Sequence, residues 1–158
     1  MTTENQNTVS DISEDLAFES SEQEVIHDWD ELEIEPNILR GIFAYGFEKP
    51  SPIQQRAIKP VIDGRDVIAQ AQSGTGKTAT FTIGALQRVN IAEPSTQVLI
   101  LSPTRELSTQ TAKVISNIGS FMNGLKIQTL FGGSVIEEVS SFSSKNPTRA
   151  APCTRTLI

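Results

Sequence analysis

The sequence predicts an α/β fold, in which a parallel β-sheet carries helices on both of its faces. From residue 67 to residue 131, short runs of consecutive apolar residues alternate with stretches whose apolar residues recur at helical spacing. A glycine-rich turn follows the first of these runs, at residues 71–78. Strands that alternate with helices favour a parallel sheet, because parallel neighbours must be joined by a long crossover.

Two helices are expected before the first strand. The first begins at Pro36, whose fixed φ suits a first helical turn, and it stops at Gly46. The second begins at Pro52, is kinked by Pro60 and ends at Gly64. Apolar residues at helical spacing are expected to face the core: Ile38, Leu39, Ile42 and Phe43 in the first helix, and Ile53, Ala57, Ile58, Val61 and Ile62 in the second.

Three strands and two further helices complete the pattern. The strand candidates are residues 67–69, 98–101 and 127–131. The inward faces of the two helices between them are read from their apolar spacing: Phe81, Ala85 and Val89 in one, and Leu107, Thr111, Val114, Ile115, Ile118 and Met122 in the other. Because ligands of such sheets gather at the carboxyl ends of the strands, the residues after each strand are the first to inspect.

Charge divides the 158 residues into an acidic beginning and a basic remainder. Twelve of the 19 acidic residues lie in positions 1–35, and the first basic residue is Arg40. Residues 1–27 have few apolar side chains and are expected to form a disordered acidic tail. Residues 36–158 hold 13 basic and seven acidic residues, a net charge of +6. This excess suits a polyanionic partner and equally an ordinary solvated surface.

Composition excludes several kinds of protein. His27 and Cys153 are the one histidine and the one cysteine, which excludes a zinc finger, a disulfide framework and a Cys/His nucleophile pair. His27 is given no role. No apolar stretch approaches the roughly 18 residues of a membrane span, and the acidic start has no signal-peptide core, so no membrane association is expected. The cytoplasm is the default compartment, with the nucleus left open.

The strongest local motif is the turn after the first strand. It matches a phosphate-binding loop in its essential half, Gly-x-Gly-Lys-Thr, with Ala71 where the general pattern has Gly. Glycines let backbone N–H groups approach phosphate oxygens closely. Lys77 is expected on the β- and γ-phosphates and Thr78 on Mg²⁺. The alternative is a glycine-rich turn with an incidental lysine. The loop comprises Ala71, Gln72, Ser73, Gly74, Thr75, Gly76, Lys77 and Thr78.

Four motifs stand in a fixed order along the chain. Residues 46–54, Gly-Phe-Glu-Lys-Pro-Ser-Pro-Ile-Gln, precede the phosphate-binding loop, and Trp29 lies 17 residues before Gly46. Residues 103–107, Pro-Thr-Arg-Glu-Leu, follow the second strand, and Gly132-Gly133 follows the third. Over residues 28–142 the chain resembles the amino-terminal part of a DEAD-box RNA helicase of the translation-initiation or exon-junction type, with its Q motif, Walker A, motif Ia and motif Ib.

The resemblance implies an incomplete RecA-like P-loop NTPase domain over residues 28–142, with ATP and Mg²⁺ as cofactors and RNA as partner. Proteins of translation initiation or RNA processing are further candidate partners. Lys77 and Thr78 would be catalytic, with Thr78 on the metal. The resemblance adds an adenine site to the phosphate-binding loop, formed by Trp29, Phe47, Pro52 and Gln54, and an RNA path formed by Pro103, Thr104, Arg105, Gly132 and Gly133.

Considered without the resemblance, several of these residues have ordinary alternatives. Gln54 could face solvent, and Trp29 could anchor the tail on the core. Arg105 could form a surface salt bridge, although a guanidinium at a helix start also suits a phosphodiester. Gly132-Gly133 could be a plain turn.

The 158 residues include neither the family's DEAD motif nor its second domain. Glu137-Glu138 is expected on a solvated helical face, and residues 143–158 are expected to be irregular and no longer resemble the family. The leading interpretation is an ATP-dependent RNA helicase, a hydrolase by family, whose autonomous activity in this chain is doubtful. The alternative is a non-catalytic fragment, produced by truncation, frameshift or alternative splicing, that binds nucleotide or partners. A small-molecule kinase is disfavoured because it would use neither Gln54 nor residues 103–107.

Overall fold

The computed structural model describes residues 25–132 of the chain. Predictions that concern residues 1–24 and 133–158, including Gly133, Glu137-Glu138 and the divergent end, lie outside the described residues. The described part contains a single 3-10 turn, Trp29–Glu31, and then four α-helices. These are α1 (Pro36–Ala44), α2 (Pro52–Ile62), α3 (Lys77–Gln87) and α4 (Arg105–Ile118).

The last residues of the segment predicted as an acidic tail contact the core. Ile26 is only 2% exposed and belongs to the hydrophobic core. Its backbone N–H donates to the carbonyl of Gln55 on α2 at 3.1 Å. The boundary at residue 27 stays a prediction, although Ile26 itself is buried in the core. One apolar side chain that reaches a pocket in the core can order its neighbours, and tail-like composition does not reveal such a contact.

Helices α1 and α2 confirm the two helices predicted before the first strand. Pro36 lies in the first turn of α1, and the chain turns out of that helix through Gly46, whose φ is +97°. Ser51 caps α2 in a capping box with Gln54, and Pro60 lies inside the helix. The predicted inward faces are largely buried, but Phe43 of α1 is about half exposed.

Helix α3 is the most central helix and contacts the other three. Its residues are buried on more than one face, and Ile83 is completely enclosed. The predicted face was therefore too narrow: Ala85 is buried, whereas Phe81 and Val89 are only half-buried. Gly84 allows the close approach of α2, because a Cβ at that position would overlap the side chain of Val61.

Helix α4 completes the core. Thr104 caps it, accepting a hydrogen bond from the N–H of Leu107 at 3.3 Å. The predicted stripe is confirmed for Thr111, Val114 and Ile118, which are buried, while Leu107 is 45% exposed. The carbonyl of Ile118 lies so close to Gly41 of α1 that any Cβ there would overlap it. The two helices can pack at this distance only because residue 41 is a glycine.

The predicted parallel sheet is wrong for the described residues, which contain no β-strand. The three candidates, residues 67–69, 98–101 and 127–131, have no regular secondary structure and are not joined by a ladder. Ile68 is fully exposed, and Leu99 is 57% exposed. The physical reason is that an apolar run favours a strand locally, whereas a parallel ladder also requires a distant partner strand in register.

Two of these segments border an open groove of about 680 Å³. Residues 98–102 and 124–130 form part of its wall, and the remainder comes from residues 89–97 and from residues of α3 and α4. The helices that would cover a sheet are therefore present and packed together, and the segments that would form the sheet lie beside them.

Candidate functional site

The phosphate-binding loop, residues 71–78, leads directly into α3. Gly74 and Gly76 have φ values of +80° and +91°, in the region that side-chain-bearing residues rarely adopt. Gly76 is the N-cap residue of α3, so the first backbone N–H groups of that helix have no acceptor within it. The hydroxyl of Thr75 donates to the carbonyl of Gln72 at 2.8 Å, which closes the loop on itself.

Lys77 is the first residue of α3, and its ammonium group turns back onto the loop. Its Nζ donates to the carbonyl oxygens of Ala71 at 2.5 Å and Gln72 at 2.6 Å. An ammonium has three N–H donors, so one remains for a further acceptor. Thr78 follows in the first helical turn and is half-buried. The loop, the lysine and the helix N-terminus thus bring positive charge and N–H donors to one place.

Gln54 is 1% exposed, so the alternative that it faces solvent is wrong. Its Oε1 accepts a hydrogen bond from the backbone N–H of Ser51 at 2.8 Å. Its Nε2 has no hydrogen-bond partner among the described residues, although it is buried. It lies 2.7 Å from the point where a Cβ would stand on Gly76. The amide therefore presents an unsatisfied donor to the phosphate-binding loop.

Ser51 is a residue that the sequence analysis missed. Its hydroxyl donates to the carbonyl of Thr75 at 2.8 Å and so ties the start of α2 to the phosphate-binding loop. The sequence does contain a signal for Ser51, because Ser51 and Gln54 have the spacing of a capping box at a helix start. The capping pattern predicts the helix start, but the contact with the loop depends on tertiary packing.

Trp29 is completely buried, and its indole Nε1 donates to the carbonyl of Phe47 at 3.2 Å. The ring of Phe47 lies 4.9 Å from that of Tyr45, tilted by 40°. Pro52 is exposed at the first position of α2. The structure therefore brings Trp29 and Phe47 together and buries Trp29 beneath residues 46–54.

Two of the predicted RNA-contacting segments also meet. The guanidinium of Arg105, at the start of α4, donates to the carbonyl of Gly132. Pro103, Thr104, Arg105 and Gly132 are all exposed. Among the described residues, the single ion pair joins Lys59 to Asp63, so the alternative that Arg105 forms a salt bridge is not supported there. Gly133 lies outside the described residues.

The donor set fits ATP and Mg²⁺. Gly74 has open space where a side chain would be, and the loop offers N–H groups and an ammonium to phosphate oxygens. Mg²⁺ bound with nucleotide phosphates needs only one or two protein ligands, and Thr78 can supply a hydroxyl. No group of three or more His, Cys, Asp or Glu residues that could hold a metal occurs within residues 25–132. No helix in that range is long and apolar enough to span a bilayer.

A glycine-rich loop that ends in a lysine at the start of a buried helix is the phosphate site of P-loop nucleotide-binding proteins. The order of motifs narrows the class further. Residues 51–153 match the family model for the DEAD/DEAH box helicases, and the chain belongs to that family.

Relatives and solved structures agree with this assignment. The chain is 52% identical over 136 residues to an ATP-dependent RNA helicase eIF4A from Scheffersomyces stipitis, a match that covers 86% of this chain and 34% of the relative. A DEAD box protein from Methanococcus jannaschii has a TM-score of 0.70 at 35% identity, covering 75% of this chain and 32% of that one. S. cerevisiae Dbp5 bound to RNA and ADP BeF3 has a TM-score of 0.58 at 47% identity, covering 60% and 25%.

This chain thus spans about a third of the length of the curated relatives that it matches. The structural neighbours are RecA-like helicase domains, so the helices of this chain have the arrangement of that fold even though the described residues form no sheet.

Proposed function

We propose that this chain binds ATP with Mg²⁺ and single-stranded RNA, as the amino-terminal part of an ATP-dependent RNA helicase core. The observation that carries the proposal is the meeting of Gln54 with the phosphate-binding loop. A buried amide with a free donor lies 2.7 Å from the Cβ position of Gly76, so a group that can read a base and a loop that can hold phosphates are adjacent.

On the nucleotide side, each residue has a distinct task. Lys77 would exchange its hydrogen bonds to the carbonyls of Ala71 and Gln72 for phosphate oxygens, and the N–H groups at the start of α3 would hold the same anion. Thr78 would hold Mg²⁺, which neutralises phosphate charge when it is bound. Gln54 would bind the base edge, while Trp29 supports residues 46–54 from the core.

On the RNA side, we assign the exposed surface around the start of α4. Pro103, Thr104 and Arg105 precede or open that helix, and the contact between Arg105 and the Gly132 carbonyl joins the two predicted RNA-contacting segments. We include Gly133 because it adjoins Gly132 in the sequence. Exposed backbone and guanidinium donors suit the sugar–phosphate backbone of a strand.

RNA unwinding coupled to ATP hydrolysis is the activity that the names of the relatives suggest for a whole helicase. In these 158 residues no DEAD motif occurs, so for the isolated chain we favour binding without turnover. This is the second candidate function, a non-catalytic nucleotide-binding chain. Partner proteins of translation initiation or RNA processing, and a cytoplasmic or nuclear setting, stay predictions.

Fluorescence anisotropy of a labelled single-stranded RNA, measured with and without ATP–Mg²⁺, tests the proposal. The wild-type chain should bind RNA, Arg105→Ala should weaken that binding, and Lys77→Ala should abolish nucleotide binding while RNA binding remains. Lys59→Ala, which removes an exposed cation in an ordinary ion pair, serves as the matched control. If Lys59→Ala weakened RNA binding as much as Arg105→Ala, the loss would reflect the general charge of the chain and not a specific RNA site at Arg105.

A further inference from the structure

Residues 98–101 form an apolar segment whose backbone has no partner. Within residues 25–132, none of the N–H or C=O groups of this segment forms a hydrogen bond. Its side chains are those of Val98, Leu99, Ile100 and Leu101. A segment with unpaired N–H and C=O groups can take up a strand from another chain along its edge. Residues 98–101 are therefore open to such pairing.

The groove beside this segment collects exposed apolar surface. Five of the ten large apolar side chains that are exposed within the described residues line it: Ile91, Leu99, Leu101, Ile127 and Leu130. The charged side chains that line the groove are Glu93 and Lys126, one of each sign. An apolar and nearly neutral surface of this kind favours an apolar partner over a charged one.

The partner must also form hydrogen bonds. Besides the backbone of residues 98–101, the wall contains the hydroxyl of Thr82, which is buried and has no hydrogen-bond partner among the described residues. A purely apolar small molecule would cover these groups without satisfying them, which costs free energy. A polypeptide strand offers apolar side chains together with N–H and C=O groups. Residues 98–101 of a second copy have this chemistry.

The exposure of the segment alternates with the period of a strand. Leu99 and Leu101 are exposed, whereas Val98 and Ile100 are half-buried. In an antiparallel pair, residues directly opposite each other have their side chains on the same face. The exposed faces of two copies therefore coincide when Ile100 lies opposite Ile100 of the second copy and Leu99 lies opposite Leu101. A slip by one residue would place the exposed face of one copy with the half-buried face of the other.

We infer that two copies of this chain associate through an antiparallel pair formed by residues 98–101 of each, related by a two-fold axis at Ile100. Both copies use the same surface, so the contact closes on itself and produces a dimer, not an open chain of copies. The Leu99 and Leu101 side chains of each copy contact Leu101 and Leu99 of the other. The association requires neither nucleotide nor RNA and does not depend on the proposed function.

Cysteine cross-linking of the full 158-residue chain tests the register. Cys153→Ser is introduced first, so that each variant has a single cysteine. Under a mild oxidant, Ile100→Cys should form a disulfide-linked dimer, because directly opposite Cα atoms in an antiparallel pair are about 4.5–5.5 Å apart. Leu99→Cys alone and Leu101→Cys alone should form little, because identical residues would then be diagonal neighbours about 7–8 Å apart. An equimolar mixture of the Leu99→Cys and Leu101→Cys variants should form the dimer again.

Sedimentation velocity over a series of concentrations tests the hydrogen bonds. Antiparallel pairs alternate between bonded and non-bonded positions, so either Leu99→Pro or Ile100→Pro removes an N–H donor from the pair in each copy. At least one of these variants should weaken dimerisation about tenfold or more, although neither removes a hydrogen bond from the single chain. Ile68→Pro is the matched control, since Ile68 is fully exposed and does not line the groove.

Each outcome decides the question, and the cross-linking pattern does not depend on whether the proline variants fold. A chain with the natural residues at 98–101 that stays monomeric at every concentration would overturn the inference. Equal cross-linking of the three single-cysteine variants would overturn the register and with it the two-fold pair. Growth beyond the dimer would mean that the exposed apolar surface associates without closing, which also contradicts the inference.

Discussion

Replacing Gln54 with alanine should reduce the preference for adenine over guanine. The Gln54 amide is 1% exposed, its Oε1 accepts from the N–H of Ser51 at 2.8 Å, and its Nε2 is buried without a partner. A carbonyl oxygen has two lone pairs, so Oε1 can keep this contact and accept one more hydrogen bond. Adenine offers a donor at N6 and an acceptor at N7, which match Oε1 and Nε2.

Guanine cannot match both atoms of the amide. Its O6 and N7 are both acceptors, so Nε2 finds a partner while Oε1 faces another acceptor. An unpaired or repulsive contact of this kind costs about 1–3 kcal/mol, which corresponds to roughly a 5- to 150-fold preference for ATP. The free energy of unfolding should change less than the ATP affinity. The variant loses part of a helix cap, worth about 1 kcal/mol, and it also removes a buried donor that has no partner.

The assay is a titration of wild type and Gln54→Ala with ATP and with GTP in the presence of Mg²⁺. ATP affinity should fall by about one order of magnitude, and GTP affinity should stay nearly constant. Gln55→Ala, at the neighbouring half-buried position, is the control and should leave both affinities unchanged. An equal loss for ATP and GTP would mean that Gln54 only supports the phosphate-binding loop, and an unchanged ATP affinity would refute its contact with the base.

Three further predictions concern turnover, the loop and association. The purified chain should show no RNA-stimulated ATP hydrolysis in a steady-state assay, because it has no second acidic motif; a rate above that of Lys77→Ala would contradict this. Gly76→Ala should lower the free energy of unfolding in urea by about 1–2 kcal/mol and impair ATP binding, because φ is +91° there and a Cβ would stand 2.7 Å from Gln54 Nε2; unchanged values would count against the loop geometry. The exposed Leu99 and Leu101 should promote self-association, so changing both to lysine should shift sedimentation toward monomer, and a wild type that is already monomeric would dispose of this prediction.

The sequence was a good guide to the helices because their signals are local. Pro36 and Ser51 mark helix starts. Buried residues recur at helical spacing within each helix, and examples are Ile42 in α1, Ile58 in α2 and Val114 in α4. The prediction of a single inward face was less successful for α3. The other three helices pack against it, so it has no exposed side that would make apolar and polar residues alternate at helical spacing. Strand pairing could not be predicted in this way, because a parallel ladder depends on residues far apart in the chain.

In the candidate site, too, local features could be predicted from the sequence and tertiary contacts could not. The motif gave the phosphate-binding loop and the glycines whose positive φ values the structure shows. The burial of Gln54, the bond from Ser51 to Thr75 and the burial of Trp29 beneath Phe47 required the packed structure. Each of these depends on how two elements meet, and one element's sequence pattern does not contain that information.

The most direct test of the nucleotide site is hydrogen exchange of the full chain with and without ATP–Mg²⁺, followed by mass spectrometry of peptic peptides. We expect slower exchange in peptides that cover the phosphate-binding loop and the first turn of α3, because their N–H groups would bind phosphate oxygens. Lys77→Ala should lose this protection, and peptides from residues 113–118 of α4 should be unchanged in both proteins. Protection that is absent from residues 71–80 in the wild type, or that persists in Lys77→Ala, would contradict nucleotide binding at the phosphate-binding loop.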